Sequence, residues 1–558
     1  MDLKTNIEKL IKGDVLDDDA TRTFYSHDAS LFEMRPEVVV MPKDKDDIKA
    51  LVRYVAANKS TTPNLSLTAR SRGTDMSGAA INDSIIIDSS KYMTKISKVG
   101  SQSATTQPGA MYKDFDIQTL KHGAYMPSYP ASRDLAGMGG IVNNNSGGEK
   151  SLRFGKTANY VTQLKMVLAD GNEYTIRPLK KADLVRKMSQ NDFEGKLYKK
   201  TFELLEKNYS LIQAARPQVS KDSTGYHLWD VWNRETGVFD LTKLFVGAQG
   251  TLGIMTEADL RLVPQQKHSG LLVLFLKDIN GLGRLIPAVL SHNPETFESF
   301  DDQTLWLSIR FLPTFWKMLG TKKFIKLLFS LIPDGLQLLK GIPKLVLMVE
   351  FSGDSEDEVR QKISTLHREL ASYERTARRA ARYEINGIEE TPTAGKSEKF
   401  WIMRRNSFQI LRSKVKDKHT APFIDDFIVP PKNLAEFLPK LRKIIKKYKL
   451  FATIAGHMGD GNFHVIPLMK IEDPRERAKL EPCMKEVNNL VLKYGGSVSG
   501  EHNDGMIRGP WLEVQYGKEV VDIFRAVKTL YDPQNIFNPH KKTDATWDYS
   551  FKHIRKSF

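Results

Sequence analysis

The sequence predicts an α+β protein of two or three domains, and three observations carry that prediction. The chain has 558 residues, more than one hydrophobic core ordinarily organises. Its first half alternates short apolar runs, stretches of helical spacing and Gly/Ser/Thr loops, which is how an α/β unit opens. Its second half mixes further strand-like runs with charged helices. A hydrophobic content of 41% and a charged content of 27% are those of an ordinary globular protein.

Residues to about 33 read as a helical segment and then a loop ending in Tyr25-Ser-His27-Asp28-Ala-Ser30. Glu37 to Pro42 is a short strand stopped by proline, and Asp46 to Asn58 is a helix with apolar residues at Ile48, Leu51, Val52 and Val55. The next strand, Leu65 to Ala69, runs into Arg70-Ser71-Arg72-Gly73-Thr74-Asp75. A loop of this composition after a strand bares backbone amides that can cradle phosphate oxygens, with Arg70 and Arg72 adding charge. No G-x-G-x-x-G opens a helix there, so it is not a dinucleotide fingerprint.

Ile85 to Asp88 is a further strand, and Pro108-Gly109 turns into a helix through Leu120. Pro127 to Ser132 leads to Gly137-Met-Gly139-Gly140-Ile-Val-Asn-Asn144-Asn-Ser-Gly147-Gly148, read as a loop able to lay bare backbone against a flat ligand, or alternatively as a surface loop. Tyr160 to Leu168 and Glu173 to Ile176 flank Asp170-Gly171 as a hairpin, and Leu241 to Glu257 closes this part of the chain.

Leu271 to Leu276 and Val346 to Phe351 read as strands of a second domain. Between them, residues 305–344 interleave lysines with Trp306, Phe311, Phe315, Trp316, Phe324 and Phe329, a composition suited to an anionic membrane surface or to a helix pair packed on the core. Ser355 to Ile385 is a charged helix, and Lys399 to Asn406 carries Trp401-Ile-Met-Arg404. Ile424 to Pro431 reads as a strand, Lys432 to Leu450 as an amphipathic helix and Phe451 to Ala455 as a strand. Arg475 to Tyr494 is helical with a kink at Pro482, Lys518 to Leu530 is a last helix, and the tail from His540 is basic and expected to be loose.

The late stretch His457-Met-Gly-Asp-Gly-Asn462-Phe-His464 holds the most pointed pattern. Gly459 to Asn462 reads as a tight hairpin loop, since Gly, Asp and Asn tolerate positive φ. With Met458 paired to Phe463, His457 and His464 would face each other across the strands at about 5 Å between β-carbons, close enough to share a metal. Glu501, in Gly500-Glu501-His502-Asn-Asp-Gly505, is a third ligand for such a site, and three ligands with an open position is a catalytic arrangement. A pair of packed or surface histidines is the bland alternative.

These two turns resemble the C-terminal half of the FAD-linked oxidases that act on D-2-hydroxy acids, a group that includes D-lactate dehydrogenase, the glycolate oxidase flavin subunit and D-2-hydroxyglutarate dehydrogenase. The resemblance spans roughly residues 25–545. It implies an N-terminal helical segment (1–36) and a PCMH-type FAD-binding domain of two α/β subdomains (37–265). A cap or substrate domain with an antiparallel sheet and helices (266–545) and a basic tail (546–558) would follow.

By the same resemblance Arg70, Ser71, Arg72, Gly73, Thr74 and Asp75 hold the flavin diphosphate, although family members usually carry three glycines where this chain has Ser71, Arg72 and Gly73. Ser132, Gly139, Gly140, Asn144 and Gly147 line the second flavin loop, and Ile254 bonds the flavin through its backbone. His457, His464 and Glu501 hold a divalent metal, Zn or Mn, and His502 is the proton acceptor. Arg404 clamps the substrate carboxylate, with Arg405 the alternative in a shifted register, and Asn462 bonds a substrate oxygen. The implied activity is oxidation of a D-2-hydroxy acid, D-lactate to pyruvate being chosen over glycolate and D-2-hydroxyglutarate. Electrons would pass to a quinone, a cytochrome or an electron-transfer protein. An FAD transferase of the alkyl-glycerone-phosphate synthase type is the alternative.

The single cysteine, Cys483, rules out an internal disulfide or an iron–sulfur cluster built by this chain, and no histidine or cysteine lies in either flavin loop, so dissociable FAD is expected. The N-terminus has no apolar signal core and no run is long enough to span a membrane, from which a cytoplasmic protein is expected, in peripheral contact with a membrane through 305–344. The net charge of +16 is dispersed and accompanied by no nucleic-acid-binding motif, so no nucleic-acid partner is expected.

Overall fold

The computed structural model describes residues 2–302, 304, 342–378, 382–414 and 418–556, with 406–414 as backbone only. The basic aromatic stretch falls outside the described residues except for 342–344.

The first sheet has four strands, in the order Asp14–Leu16, Val38–Met41, Ile85–Asp88, Leu67–Arg70, and its last three are parallel. The helix Lys45–Asn58 makes the crossover these parallel strands require, its Ile48, Leu51, Val52 and Val55 packed on Val38, Val40, Ile85 and Ile87. Its start is fixed by Asp44, which accepts from the Asp46 and Asp47 amides. A second sheet of five antiparallel strands is ordered Ile96–Ser97, Ser103–Thr106, Ile254–Arg261, Val161–Val167, Glu173–Ile176.

The third sheet, of eight antiparallel strands, forms the second half. Its path runs Ile385–Thr391, His268–Leu276, Leu345–Gly353, Thr296–Asp301, Phe451–His457, Asn462–Met469, His419–Thr420, with Phe427–Ile428 also paired to Asn462–Met469. The helices Leu282–Leu290, Glu356–Thr376, Leu434–Lys447 and Leu480–Lys493 cover it through one apolar cluster. The strand Leu345–Gly353 is buried along its whole length, so it reads as a continuous apolar run rather than an alternating one.

The chain then returns to the first half. Helix Leu512–Tyr531 sets Val520, Val521, Phe524 and Val527 among Tyr198, Tyr226 and Phe245. Phe537 bridges to Leu67, and Ile554 to Phe32. The tail is therefore not loose: it carries the helix Trp547–Lys552, and Ile554 is buried because an apolar seat on Phe32 and Leu31 awaits it.

Several elements differ from the reading of the sequence. Gly137 to Gly148 is not loop throughout; Met138–Asn144 is helical and ends at Asn145 in a left-handed conformation, so the glycines serve close packing as much as exposure. The Gly139 α-carbon lies against Pro108, where a methyl would sit 2.8 Å from its carbonyl oxygen, whereas a methyl on Gly140 would meet nothing. Ile424 to Pro431 forms strand only at Phe427–Ile428, because Asp426 takes a positive φ of 72°. The stretch 475–494 breaks before Pro482, into Pro474–Arg477 and Leu480–Lys493, with the proline in the second helix's first turn, where its missing N–H costs nothing.

Candidate active site

One cavity of about 1310 Å³ runs between the two halves, larger than the roughly 300–1,000 Å³ of an ordinary small-ligand pocket. Arg70, Ser71, Arg72, Gly73, Thr74 and Asp75 line one part of it, and Ser132, Gly139, Gly140, Asn144, Gly147 and Ile254 line its middle. Arg404, His457, His464, Glu501 and His502 line its far end. Every one of these residues was selected from the sequence, and the fold brings them to a single space.

The loop residues differ in what they do there. Arg70 is buried, with Nη1 donating to the carbonyls of His27 (2.8 Å) and Ala80 (3.3 Å) and its guanidinium over the Tyr25 ring, so it braces the loop. Asp75 accepts from the Ser77 and Ala79 amides at 2.9 and 2.8 Å and closes the turn. Ser71 Oγ donates to Pro108 O at 2.8 Å, joining the two loops, while Arg72 stays exposed at the rim. Asn144 Nδ2 donates to Glu501 O at 2.9 Å, and Asn144 Oδ1 is buried without a hydrogen-bond partner. A flat polar ligand alongside would satisfy that acceptor, and the open side of Gly140 leaves room for one, so the residues present fit a flavin.

The hairpin register is not the one expected. His457 pairs with Asn462, and His464 with Ala455, because the turn is Met458 to Gly461 and Gly461 supplies a φ of 75°. Met458 and Phe463 therefore do not pair. Since the slip is two residues and the side-chain period of a strand is two, both imidazoles still share one face, as diagonal neighbours. Their ring centroids lie 5.3 Å apart, and the His464 ring stacks on that of His502 at 5.0 Å.

Each imidazole is oriented by a carboxylate on Nδ1. His457 Nδ1 is 2.6 Å from Glu298 Oε1, His464 Nδ1 is 3.1 Å from Asp425 Oδ1, and His502 Nδ1 is 2.7 Å from Asp425 Oδ2. Each ring thus has its Nδ1 side on a carboxylate, and His457 Nε2 meets Glu501 Oε1 at 3.0 Å. Donor atoms of His464, Glu501, His502 and Asp426 all lie within 4.8 Å of one another. Asp426 is otherwise occupied: its oxygens accept from the Glu501 and His502 amides and from Ser499 Oγ, which builds the turn that presents Glu501. That group of donor atoms holds His464 and Glu501 of the expected ligands but not His457, whose Nε2 meets Glu501 Oε1; histidines backed by carboxylates beside a further carboxylate are a donor set that suits a divalent cation.

Charge is dense here. Burial alone would lower His457 and His502, but Glu298 and Glu501 hold the first up at about 9, and Asp426 and Asp425 hold the second at about 9. Burial would raise Glu501, yet His457 and Lys221 keep it well below the usual carboxylate range. His464, buried and next to His502, is shifted down. The His502 side chain is the most open of the three, at 22% exposure against 6% and 9%.

Arg404, on helix Ala394–Lys414, has Nη2 3.2 Å from Glu298 Oε2, so one carboxylate touches both the arginine and His457. Arg405 turns to Glu149 at 2.6 and 3.2 Å and stacks on Trp401. Asn462 does not reach the cavity. It is fully buried, with Nδ2 donating to Asp426 Oδ1 and Phe427 O, because the shifted register moves it from the loop into the strand beneath the Glu501 turn.

Glu298, Asp425, Asp426 and Lys221 escaped the sequence reading. The first three had a signal, since each is an acid within an apolar strand-like run. Lys221 had none.

Residues 36–177 match the FAD binding domain family model, and residues 265–542 match that of the FAD linked oxidases, C-terminal domain. The D-2-hydroxyglutarate dehydrogenase of Pseudomonas putida is 27% identical over 95% of this chain and 50% of its own length. The D-lactate dehydrogenase of Archaeoglobus fulgidus is 24% identical over 90% of both chains. The chain spans about half the length of the curated relatives it matches first. Among solved structures, 4-ethylphenol oxidase from Gulosibacter chungangensis superposes with a TM-score of 0.65 at 13% identity, covering 97% of this chain and 96% of that one, which is a likeness of fold. A glycine-lined cavity ending in carboxylate-backed histidines and the two matching domain models together make this chain a member of the FAD-linked oxidase family.

Proposed function

We propose that the chain binds FAD along the glycine-lined part of the cavity and oxidises a D-2-hydroxy acid at its histidine end. The observation that carries this reading is the 2.9 Å hydrogen bond from Asn144 to the Glu501 backbone, which ties the middle of the cavity to the turn bearing Glu501 and His502. When bound, the flavin supplies a hydride acceptor and a divalent ion, Zn or Mn, supplies Lewis-acid polarisation of the hydroxyl. His457, His464 and Glu501 would hold that ion. In its neutral form His502 takes the hydroxyl proton at Nε2 while Asp425 fixes its tautomer through Nδ1. Arg404 receives the substrate carboxylate on its planar fork. Electrons then leave to a quinone, a cytochrome or an electron-transfer protein.

D-Lactate is the substrate we propose: Arg405 is engaged by Glu149 through two hydrogen bonds and Arg404 meets Glu298 through Nη2, so the arginines at this end are read as serving a single substrate carboxylate, through Arg404. D-2-Hydroxyglutarate is the second reading, favoured by the names of four relatives at 26–28% identity, and would need a further cation for its distal carboxylate. The test is anaerobic bleaching of the bound flavin by D-lactate, glycolate, D-2-hydroxyglutarate and the L acids, before and after chelation. Bleaching by a D acid, lost on chelation and restored by metal, supports the reading. Bleaching by no hydroxy acid, or bleaching that ignores chelation, contradicts it.

A further inference from the structure

Lys221 lies outside every motif considered above, yet its ammonium reaches the centre of the site. Its side chain is 1% exposed, and Nζ contacts Glu501 Oε1 and lies 3.4 Å from Asp460 Oδ2. The partner oxygen is the one that His457 Nε2 meets at 3.0 Å. Asp460 is fixed in turn by Ser220 Oγ, which donates to its Oδ1 at 2.6 Å. On the same side Lys156 Nζ donates to Gly500 O at 2.9 Å, so the Glu501 turn is gripped by an adjoining lysine as well. A cation taken up between His457 and Glu501 would share that oxygen with an ammonium that has no water to screen it, and like charges at this separation in a dry site repel strongly. Without the ammonium, Glu501 and Asp460 would be buried acids close together, an arrangement that is costly without a counter-charge.

We propose that Lys221 is an internal counter-cation that competes with the metal for Glu501: it holds the carboxylate in place in the metal-free protein and lowers the site's affinity for the ion. The proposal rests on the reading of His457, His464 and Glu501 as ligands. Its test is titration of FAD-loaded, chelator-stripped protein with Mn²⁺, followed by the electron paramagnetic resonance signal of free Mn²⁺, together with melting of stripped and loaded forms.

Lys221→Met should bind Mn²⁺ at least tenfold more tightly than wild type, melt lower than wild type when stripped, and approach it when loaded. Lys221→Arg should keep wild-type affinity. Equal or weaker binding by Lys221→Met overturns the proposal while leaving the ligand assignment standing. A wild-type protein that binds no Mn²⁺ overturns both. Should Lys221→Met fail to fold, Asp460→Asn takes its place: with Lys221 held by Glu501 alone, Mn²⁺ binding should weaken several-fold, and unchanged affinity overturns the proposal.

Discussion

His502 Nδ1 donates to Asp425 Oδ2 at 2.7 Å, and this single contact decides which nitrogen of the proposed base faces the cavity. Asp425 is buried and held well below the usual carboxylate range, because His502 and His464 together outweigh the cost of its burial. Its other oxygen serves His464, so one side chain orients both a proposed base and a proposed metal ligand.

Replacing Asp425 by Asn should therefore damage both functions at once. Supporting residues of this kind typically carry 10–100-fold in metal affinity or activity. We expect Asp425→Asn to retain FAD, as read by its visible absorbance, while metal affinity and the rate of flavin reduction each fall by about that factor.

Arg404→Lys keeps the charge and loses the fork. A point charge cannot replace bidentate carboxylate recognition. Steady-state kinetics should show KM for the hydroxy acid rising more than tenfold, with FAD content unchanged.

The flavin should be released by acid. Cys483 is fully buried beneath the third sheet, and among the described residues the histidine that lines the cavity with Arg70, His27, is held through Nδ1 by Ser26 and Thr23. Acid precipitation should give a colourless pellet and a yellow supernatant.

Glu350 supplies a pH dependence of stability. Burial raises it, Lys150 opposes the rise, and the result is a carboxyl at about 7 beside Glu295 and Glu149. The folded value lies above the unfolded one, near 4.5, so the folded protein holds an extra proton between the two. Stability is unaffected below the lower value, falls as pH rises through the interval, and carries the full penalty above about 7. Glu350→Gln should thus melt higher than wild type at pH 8, by the equivalent of up to about 3 kcal/mol, with the difference closing toward pH 4–5 in thermal scans.

Much of this site was legible because backbone chemistry writes itself locally. The Arg70–Asp75 loop, the glycines at 137–148 and the Gly-Asp-Gly turn before Asn462 are each dictated by φ values or close approach that few residues tolerate. The register of the hairpin was not legible, since a four-residue turn beginning at Met458 and one beginning at Gly459 fit the same letters. It is settled by Gly459, whose amide bonds Phe297 O across the sheet at 3.0 Å. Asn462 was misplaced for the same reason. Glu298 and Lys221 reach the site from 159 and 280 residues away from their partners His457 and Glu501, so no local pattern announces them.

The central claim is that a hydroxy acid gives its proton to His502 as its hydride goes to flavin in this cavity. It is tested most directly by mixing wild type and His502→Ala anaerobically with the best D-2-hydroxy acid and following flavin absorbance in a single turnover. We expect rapid bleaching of wild type, and in His502→Ala full FAD and metal content with bleaching slowed by at least ~10²-fold. Reduction of the variant at the wild-type rate would contradict the account.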